Sequence, residues 1–128
     1  MILFRLPSTA CHELAHMLIA LITCSRITGF SLIPRKTNDV WVLGSVSCSN
    51  LGVWSAFPVA MAPILNLIPA LYLLSAQEQG GMLYICTSFI FITGAIPSIT
   101  DFKVAARHPM SVLVWVVTVA VIWAGVKE

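Results

Sequence analysis

Four long apolar stretches dominate this 128-residue chain and limit what it can fold into. They run from Met1 to Cys24, from Leu51 to Ala76, from Met82 to Thr100 and from Met110 to Val126. Each is close to the ~20 residues that an α-helix needs to cross ~30 Å of hydrocarbon. Only 9% of the residues are charged, against roughly 25% in soluble domains. We therefore expect an all-α integral membrane protein with about four transmembrane helices, embedded in a lipid bilayer as one domain over residues 1–128.

The connections between the apolar stretches are short. Residues 29–33 and 40–48 are rich in β-branched and aromatic residues, and the polar segment 34–39 separates them. This pattern predicts a short β-hairpin between the first and second helices, with its turn over 34–39. The segment 77–81 is too short to hold a domain, so no inserted soluble domain is expected. The first ten residues lack a small-residue cleavage pattern, so we expect them to be retained.

The basic residues are few and scattered, and the net charge is only +2. A nucleic-acid-binding surface needs a basic cluster, so no nucleic-acid partner is expected. Most of the basic residues follow the first or the third apolar stretch: Arg26, Arg35, Lys36, Lys103 and Arg107. Because cytoplasmic loops carry an excess of lysine and arginine, this distribution predicts a multi-pass protein with its hairpin on the cytoplasmic side. We expect the membrane to be the cytoplasmic membrane of a prokaryote.

The first apolar stretch contains His12-Glu13-Leu14-Ala15-His16, an H-E-x-x-H sequence. On a helix the two imidazoles project from one face, within reach of one tetrahedral zinc ion, and the glutamate beside them is placed as a general base. An accidental match on a solvated helix is the plainer interpretation. However, each ionisable residue at the centre of a span costs on the order of 2.5 to 3.5 kcal/mol, and metal coordination offsets that cost. We predict His12 and His16 as Zn²⁺ ligands and Glu13 as the catalytic base.

Two histidines leave a catalytic zinc site one protein ligand short. Asp101 is the candidate for the third ligand, because Pro97 can break the third helix and keep the following turn near the metal. The alternative is a helix-end carboxylate paired with a neighbouring lysine or arginine. His108 lies in an interfacial loop, where a solvated role is commoner than a ligand role. Because His16 lies about 12 Å of helix before the end of the first stretch, the zinc site is expected toward the cytoplasm.

The order of these motifs resembles the site-2 protease family of intramembrane zinc metalloproteases. In that family the first core helix carries H-E-x-x-H, the second a G-P-x-x-N element and the third a proline-containing approach to an L-D-G aspartate. The matching segments here are His12–His16, Ala62–Asn66 and Pro97–Asp101, so the resemblance covers roughly residues 8–105. Ala62 replaces the glycine of G-P-x-x-N, and Thr100-Asp101-Phe102 replaces L-D-G. The resemblance implies hydrolysis of peptide bonds in or near transmembrane segments of other membrane proteins.

Two further features have more than one interpretation. Asn66 is an amide within an apolar stretch, so it must hydrogen-bond either across helices or to a substrate backbone, and we keep it as a candidate substrate-binding residue. The hairpin either presents a strand edge to an extended substrate or only packs against lipid headgroups. Two other function classes also fit the motifs. One is a noncatalytic membrane metal-binding or ion-transport protein, which gives Glu13 no task, and the other is an inactive protease-like adaptor.

Overall fold

The computed structural model describes residues 2–38, 40–42 and 44–127 and is mainly helical. The helices are α1 (Ile2–Ile22), α2 (Ala56–Met61), α3 (Leu67–Ser75), α4 (Gln77–Gly94), α5 (Ile99–Arg107) and α6 (Pro109–Val126), and a 3-10 helix over Ala62–Asn66 joins α2 to α3. The strands are β1 (Arg26–Ser31), β2 (Arg35–Thr37), β3 (Val40–Val42) and β4 (Ser45–Ser49). The predicted helical fold with a β-hairpin after the first helix is confirmed.

The number of possible membrane spans is smaller than predicted. In the described part of the chain, Ala56–Ser75 and Pro109–Val126 are long and apolar enough to cross a membrane. A third span is added if α4 and α5, which meet at a bend of 43°, are counted together. Helix α1 has 21 residues but is less apolar, because it contains Arg5 and the polar residues of the H-E-x-x-H motif. The structure thus supports two or three spans, and the count of four is not confirmed.

The hairpin has two sections with a shorter turn than predicted. β1 pairs antiparallel with β4, and β2 pairs antiparallel with β3. Arg35–Thr37, predicted as part of the turn, forms β2 instead, because the pair Thr37 and Val40 closes a two-residue connection of the kind that antiparallel strands favour. Asn38 has a φ of 47°, in the left-handed region that asparagine tolerates. Asp39, also in the predicted turn, lies outside the described residues.

The segment 77–81, predicted as a short turn between two helices, is helical up to a sharp change of direction at Gly81. Gly81 has φ 55° and ψ −137°, a conformation that glycine adopts readily because it has no Cβ. The change of direction allows α4 to pack against α3. The connection is therefore a helical turn followed by a kink.

The break between α4 and α5 lies where Pro97 predicts it. Helix α4 ends at Gly94 and α5 begins at Ile99. Ser98 caps α5: its hydroxyl accepts a hydrogen bond from the N–H of Asp101, and its own N–H donates to Asp101 Oδ2 at 2.6 Å. This reciprocal pair is a capping box. It fixes the Asp101 carboxylate in the first turn of α5, where the residue is buried.

Helices α1 and α4 approach each other so closely at Gly94 that no side chain fits there. A Cβ at Gly94 would lie 2.8 Å from the carbonyl oxygen of Ser8 and 3.4 Å from the Cβ of Cys11. We expect Gly94→Ala to lower the free energy of unfolding by about 1–3 kcal/mol, because the backbone of α1 must move away. Thermal unfolding in detergent measures the loss. Gly125→Ala is the control, since nothing lies within 4 Å of a Cβ there, and equal stability of the two variants would contradict the close contact.

Candidate metal centre

Side chains from α1 and α5 converge at one point. His12 Nε2 lies 3.2 Å from His16 Nε2 and 3.3 Å from Asp101 Oδ2, and His16 Nε2 lies 3.1 Å from Asp101 Oδ1. The two histidines share one face of α1 because residues i and i+4 lie one above the other. The side chains are 12%, 9% and 11% exposed, respectively. These residues, the ligand group, can hold a metal ion.

The second ring nitrogen of each histidine is bound to a backbone carbonyl. His12 Nδ1 lies 3.1 Å from the oxygen of Gly94, and His16 Nδ1 lies 2.7 Å from the oxygen of Val59. A carbonyl oxygen only accepts hydrogen bonds, so both Nδ1 atoms carry protons and donate. In each neutral imidazole the lone pair is then on Nε2. The two Nε2 atoms face each other and the Asp101 carboxylate. Such a group needs a cation or added protons between its members, and carbonyl-oriented histidines of this kind are typical of metal ligands.

Both carbonyl oxygens can accept a hydrogen bond from a histidine because a proline three or four residues later interrupts the helix. In an α-helix a carbonyl accepts from the N–H four residues later, and for Val59 that residue is Pro63, which has no N–H. The N–H of Ala62, three residues after Val59, donates to the Val59 oxygen. For Gly94, the residue three positions later is Pro97, and the N–H four positions later, of Ser98, donates to Asp101 instead. The interruptions of both helices thus supply the acceptors that orient the histidines.

The ligand group opens into a cavity of about 590 Å³, within the ~300–1,000 Å³ range of small-ligand sites. Glu13 lines this cavity together with the ligand group but does not belong to the group. Residues Ser45–Cys48 of β4 form another part of the lining, and Val59 and Ala60 of α2 a third. The cavity therefore brings the predicted base, the ligand group and one strand of the hairpin together.

Cys48 is a thiol in the cavity lining that the sequence did not single out. Burial raises the pKa of this thiol above its ordinary value of 9.0, because desolvation disfavours the thiolate. The thiolate is the form that attacks substrates and binds metals. At neutral pH Cys48 is therefore a protonated, weakly polar part of the lining.

Asn66 joins helices beside the ligand group. Its amide nitrogen donates to the carbonyl oxygens of Cys11 at 3.2 Å and of Gly94 at 3.3 Å. It is not among the described residues that line the cavity. These contacts are the cross-helix hydrogen bonds that the sequence allowed as one interpretation, and a contact between Asn66 and substrate stays a prediction.

The remaining candidates lie apart from the ligand group. His108 is at the junction of α5 and α6, and it is not a member of the group. The Asp101 carboxylate contacts both histidines and the Ser98 N–H. Within the described ranges it has no ion pair with Lys103 or Arg107. The alternative of a helix-end ion pair for Asp101 therefore does not match the observed contacts.

Comparisons of this chain with protein-family models, with curated proteins and with solved structures gave no match. Fold and site define its class: a mainly helical protein with two or three possible membrane spans and a buried His–His–Asp group that can hold a metal ion. The resemblance to the site-2 protease family stays a prediction that depends on the motifs.

Proposed function

We propose that this protein is an intramembrane zinc metalloprotease of the site-2 protease type, which hydrolyses peptide bonds in or near transmembrane segments of other membrane proteins. The observation that carries the proposal is the convergence of His12, His16 and Asp101 beside Glu13 in one cavity. A noncatalytic metal site needs only the metal ligands. The carboxylate of Glu13 lines the same cavity but is not a ligand, so it has no role in such a site. The presence of Glu13 there favours an enzyme.

The choice of zinc is supported by the donor atoms and their spacing. Imidazole nitrogens suit zinc and other transition metals, whereas calcium and magnesium prefer sets of oxygen ligands. Zinc–ligand bonds of about 2.0–2.2 Å in a tetrahedron place neighbouring ligand atoms about 3.3–3.6 Å apart. The two Nε2 atoms lie 3.2 Å apart, and His12 and His16 lie 3.3 Å and 3.1 Å from different oxygens of the Asp101 carboxylate. One ligand atom from each residue lies within 4.8 Å of the others. Three protein ligands are also the number found in catalytic zinc sites.

In the proposed reaction, His12, His16 and Asp101 hold the metal, and Glu13 moves the proton. A zinc ion, when bound, supplies Lewis acidity for the hydrolysis. The Glu13 carboxylate accepts a proton from the attacking water and later passes it to the nitrogen of the leaving amine. The water's oxygen forms the new bond to the carbonyl carbon of the substrate as the peptide C–N bond breaks. The orientation of both histidines by main-chain carbonyls keeps the ligand atoms in place throughout.

Strand β4 is the proposed docking edge for the substrate. It pairs with β1 on one side, and no other described strand pairs with it. Its residues Ser45–Cys48 line the cavity. A helix shields its peptide bonds, whereas an extended segment added to a strand edge exposes its carbonyls. We therefore propose that a transmembrane substrate unwinds locally and adds to β4. The alternative role of the hairpin is packing against lipid headgroups.

We also place α1 in the bilayer, so that the protein is multi-pass with four spans. The support is that the imidazoles of α1 face the ligand group, and intramembrane ionisable residues are tolerated when they face the protein interior. The excess of basic residues on the hairpin and on α5 favours a cytoplasmic position for that side. The proposed location is the cytoplasmic membrane of a prokaryote, with the zinc site toward the cytoplasm.

The test combines metal content with cleavage in a single preparation. We expect the protein purified in detergent to contain about one zinc ion per chain and to cut one or more members of a panel of single-span proteins in proteoliposomes. Removal of zinc with a chelator should abolish cleavage, and added Zn²⁺ but not Mg²⁺ should restore it. Bound zinc without cleavage across a broad panel would favour a metal-binding or ion-transport protein. A preparation that binds no zinc would rule out the proposed site.

A further inference from the structure

Gly44 lies directly before β4 and packs against the side chain of Glu13. A Cβ at Gly44 would lie 2.8 Å from Glu13 Cγ, 3.1 Å from Thr9 Cγ2 and 3.5 Å from the carbonyl oxygen of Ser31. The first of these distances is shorter than the 3.0 Å below which a neighbouring atom must shift. The backbone of Gly44 therefore lies against the Glu13 side chain, and any larger residue would displace one of the two.

The reason for glycine at position 44 is space. A Cβ at Gly44 would meet both Glu13 and Thr9 at distances shorter than ordinary van der Waals contact. By contrast, nothing lies within 4 Å of a Cβ at Gly52, a few residues further along. The absence of a side chain at Gly44 thus allows its backbone to lie against Glu13.

The hairpin restricts Glu13 in more than one direction. The backbone of Gly44 packs on the Cγ atom, and the N–H of Val46 interacts with the carboxylate. Thr9, one turn earlier on α1, contacts the same space from the side of the helix. Gly44 and Val46 also line the cavity into which the ligand group opens. The segment that carries the proposed docking edge therefore also holds the proposed base.

We propose that Gly44 is a positioning residue, through which the hairpin holds the Glu13 carboxylate beside His12, His16 and Asp101. The catalytic part of this inference rests on the proposed function, whereas the contact between Gly44 and Glu13 does not. A general base must lie within hydrogen-bond reach of the proton that it accepts. A displacement of about 1 Å can lower the rate about 10²-fold.

The kinetic test compares Gly44→Ala with Gly52→Ala. We expect Gly44→Ala to lower kcat about 10²-fold while KM and zinc content stay at the values of the unaltered protein, because only the base moves. Gly52→Ala should retain the unaltered kcat. A Gly44→Ala protein with unaltered kcat would overturn the inference. A rise in KM with unaltered kcat would also overturn it, because Gly44 would then act on substrate binding.

A second measurement tests the contact without any activity. Gly44→Ala is expected to lower the midpoint of thermal unfolding by about 2–8 °C, and by markedly less in a protein that also carries Glu13→Ala, because that change removes the Cγ atom. Equal shifts in the two backgrounds would overturn the inference whether or not the protein cleaves substrates. Different shifts in the two backgrounds would establish the contact. If the zinc-loaded, unaltered protein then cleaves nothing, the proposed function fails, and the catalytic role of Gly44 fails with it.

Discussion

A protein carrying Glu13→Gln is expected to bind zinc as the unaltered protein does but to cleave its substrates about 10²- to 10⁴-fold more slowly. Glutamine has nearly the same shape as glutamate, so its Cγ still packs against Gly44. Its amide, however, cannot accept the proton of the attacking water. Zinc binding should persist because Glu13 does not belong to the ligand group. Zinc content and cleavage rates from one preparation measure both effects.

Glu78→Gln is the matched control for this variant. Glu78 is an exposed glutamate in the first turn of α4, so the same chemical change there should leave zinc content and cleavage unaltered. If Glu13→Gln cleaves as fast as the control while both hold zinc, Glu13 has no part in the chemistry. The noncatalytic metal-binding or ion-transport protein would then be the better interpretation of the site.

Asp101→Asn is expected to weaken zinc binding by more than about 100-fold, since loss of an outer partner of a ligand already costs 10–100-fold. The change removes the negative charge of the carboxylate but leaves an oxygen that accepts the N–H of Ser98. Helix α5 should therefore keep its cap, and the zinc-free protein should unfold near its usual temperature. Competition with a chromophoric chelator measures the zinc affinity.

Ser98→Ala weakens the cap of α5 but leaves the proposed zinc ligand in place, whereas Asp101→Asn keeps the cap and alters the ligand. It removes the hydroxyl that accepts the N–H of Asp101, which typically costs ~1 kcal/mol of stability. The Asp101 carboxylate and its bond to the main-chain N–H of residue 98 remain. We expect this variant to be less stable than Asp101→Asn in the absence of metal but to bind zinc more tightly. An Asp101→Asn protein with unaltered zinc affinity would show that Asp101 is not a ligand.

The features that depend on hydrophobicity and on proline were predictable from the sequence. The apolar stretches located the helices, and Pro97 located the break that brings Asp101 to the histidines. The length of α1 makes it a candidate span, but Arg5 and the polar residues of the H-E-x-x-H motif lower its mean hydropathy. The predicted turn was too long because the polar side chains of Arg35 and Lys36 suggested a loop, whereas strand pairing there depends on backbone hydrogen bonds.

Contacts made by backbone atoms were not predictable. The histidines are oriented by the carbonyls of Val59 and Gly94, and no side chain at those positions indicates that role. Gly44 is far from Glu13 in sequence, and only the folded hairpin brings the two together. Asn66 was recognised as a residue in need of partners, but the choice between two helices and a substrate depended on the three-dimensional structure.

The dependence of the site on Pro63 and Pro97 has a consequence for how much the surrounding sequence can vary. At Val59 the orienting group is the main-chain oxygen, which every amino acid possesses, so exchanges among small apolar residues there leave the tautomer of His16 unchanged. The requirement falls instead on Pro63, which lacks the N–H that would donate to this oxygen in a regular helix, so that the oxygen is shared by Ala62 and His16. A search for a side-chain partner of either Nδ1 atom would therefore miss the arrangement, whereas a proline three or four residues after the carbonyl, as at Gly94 and Val59, indicates it.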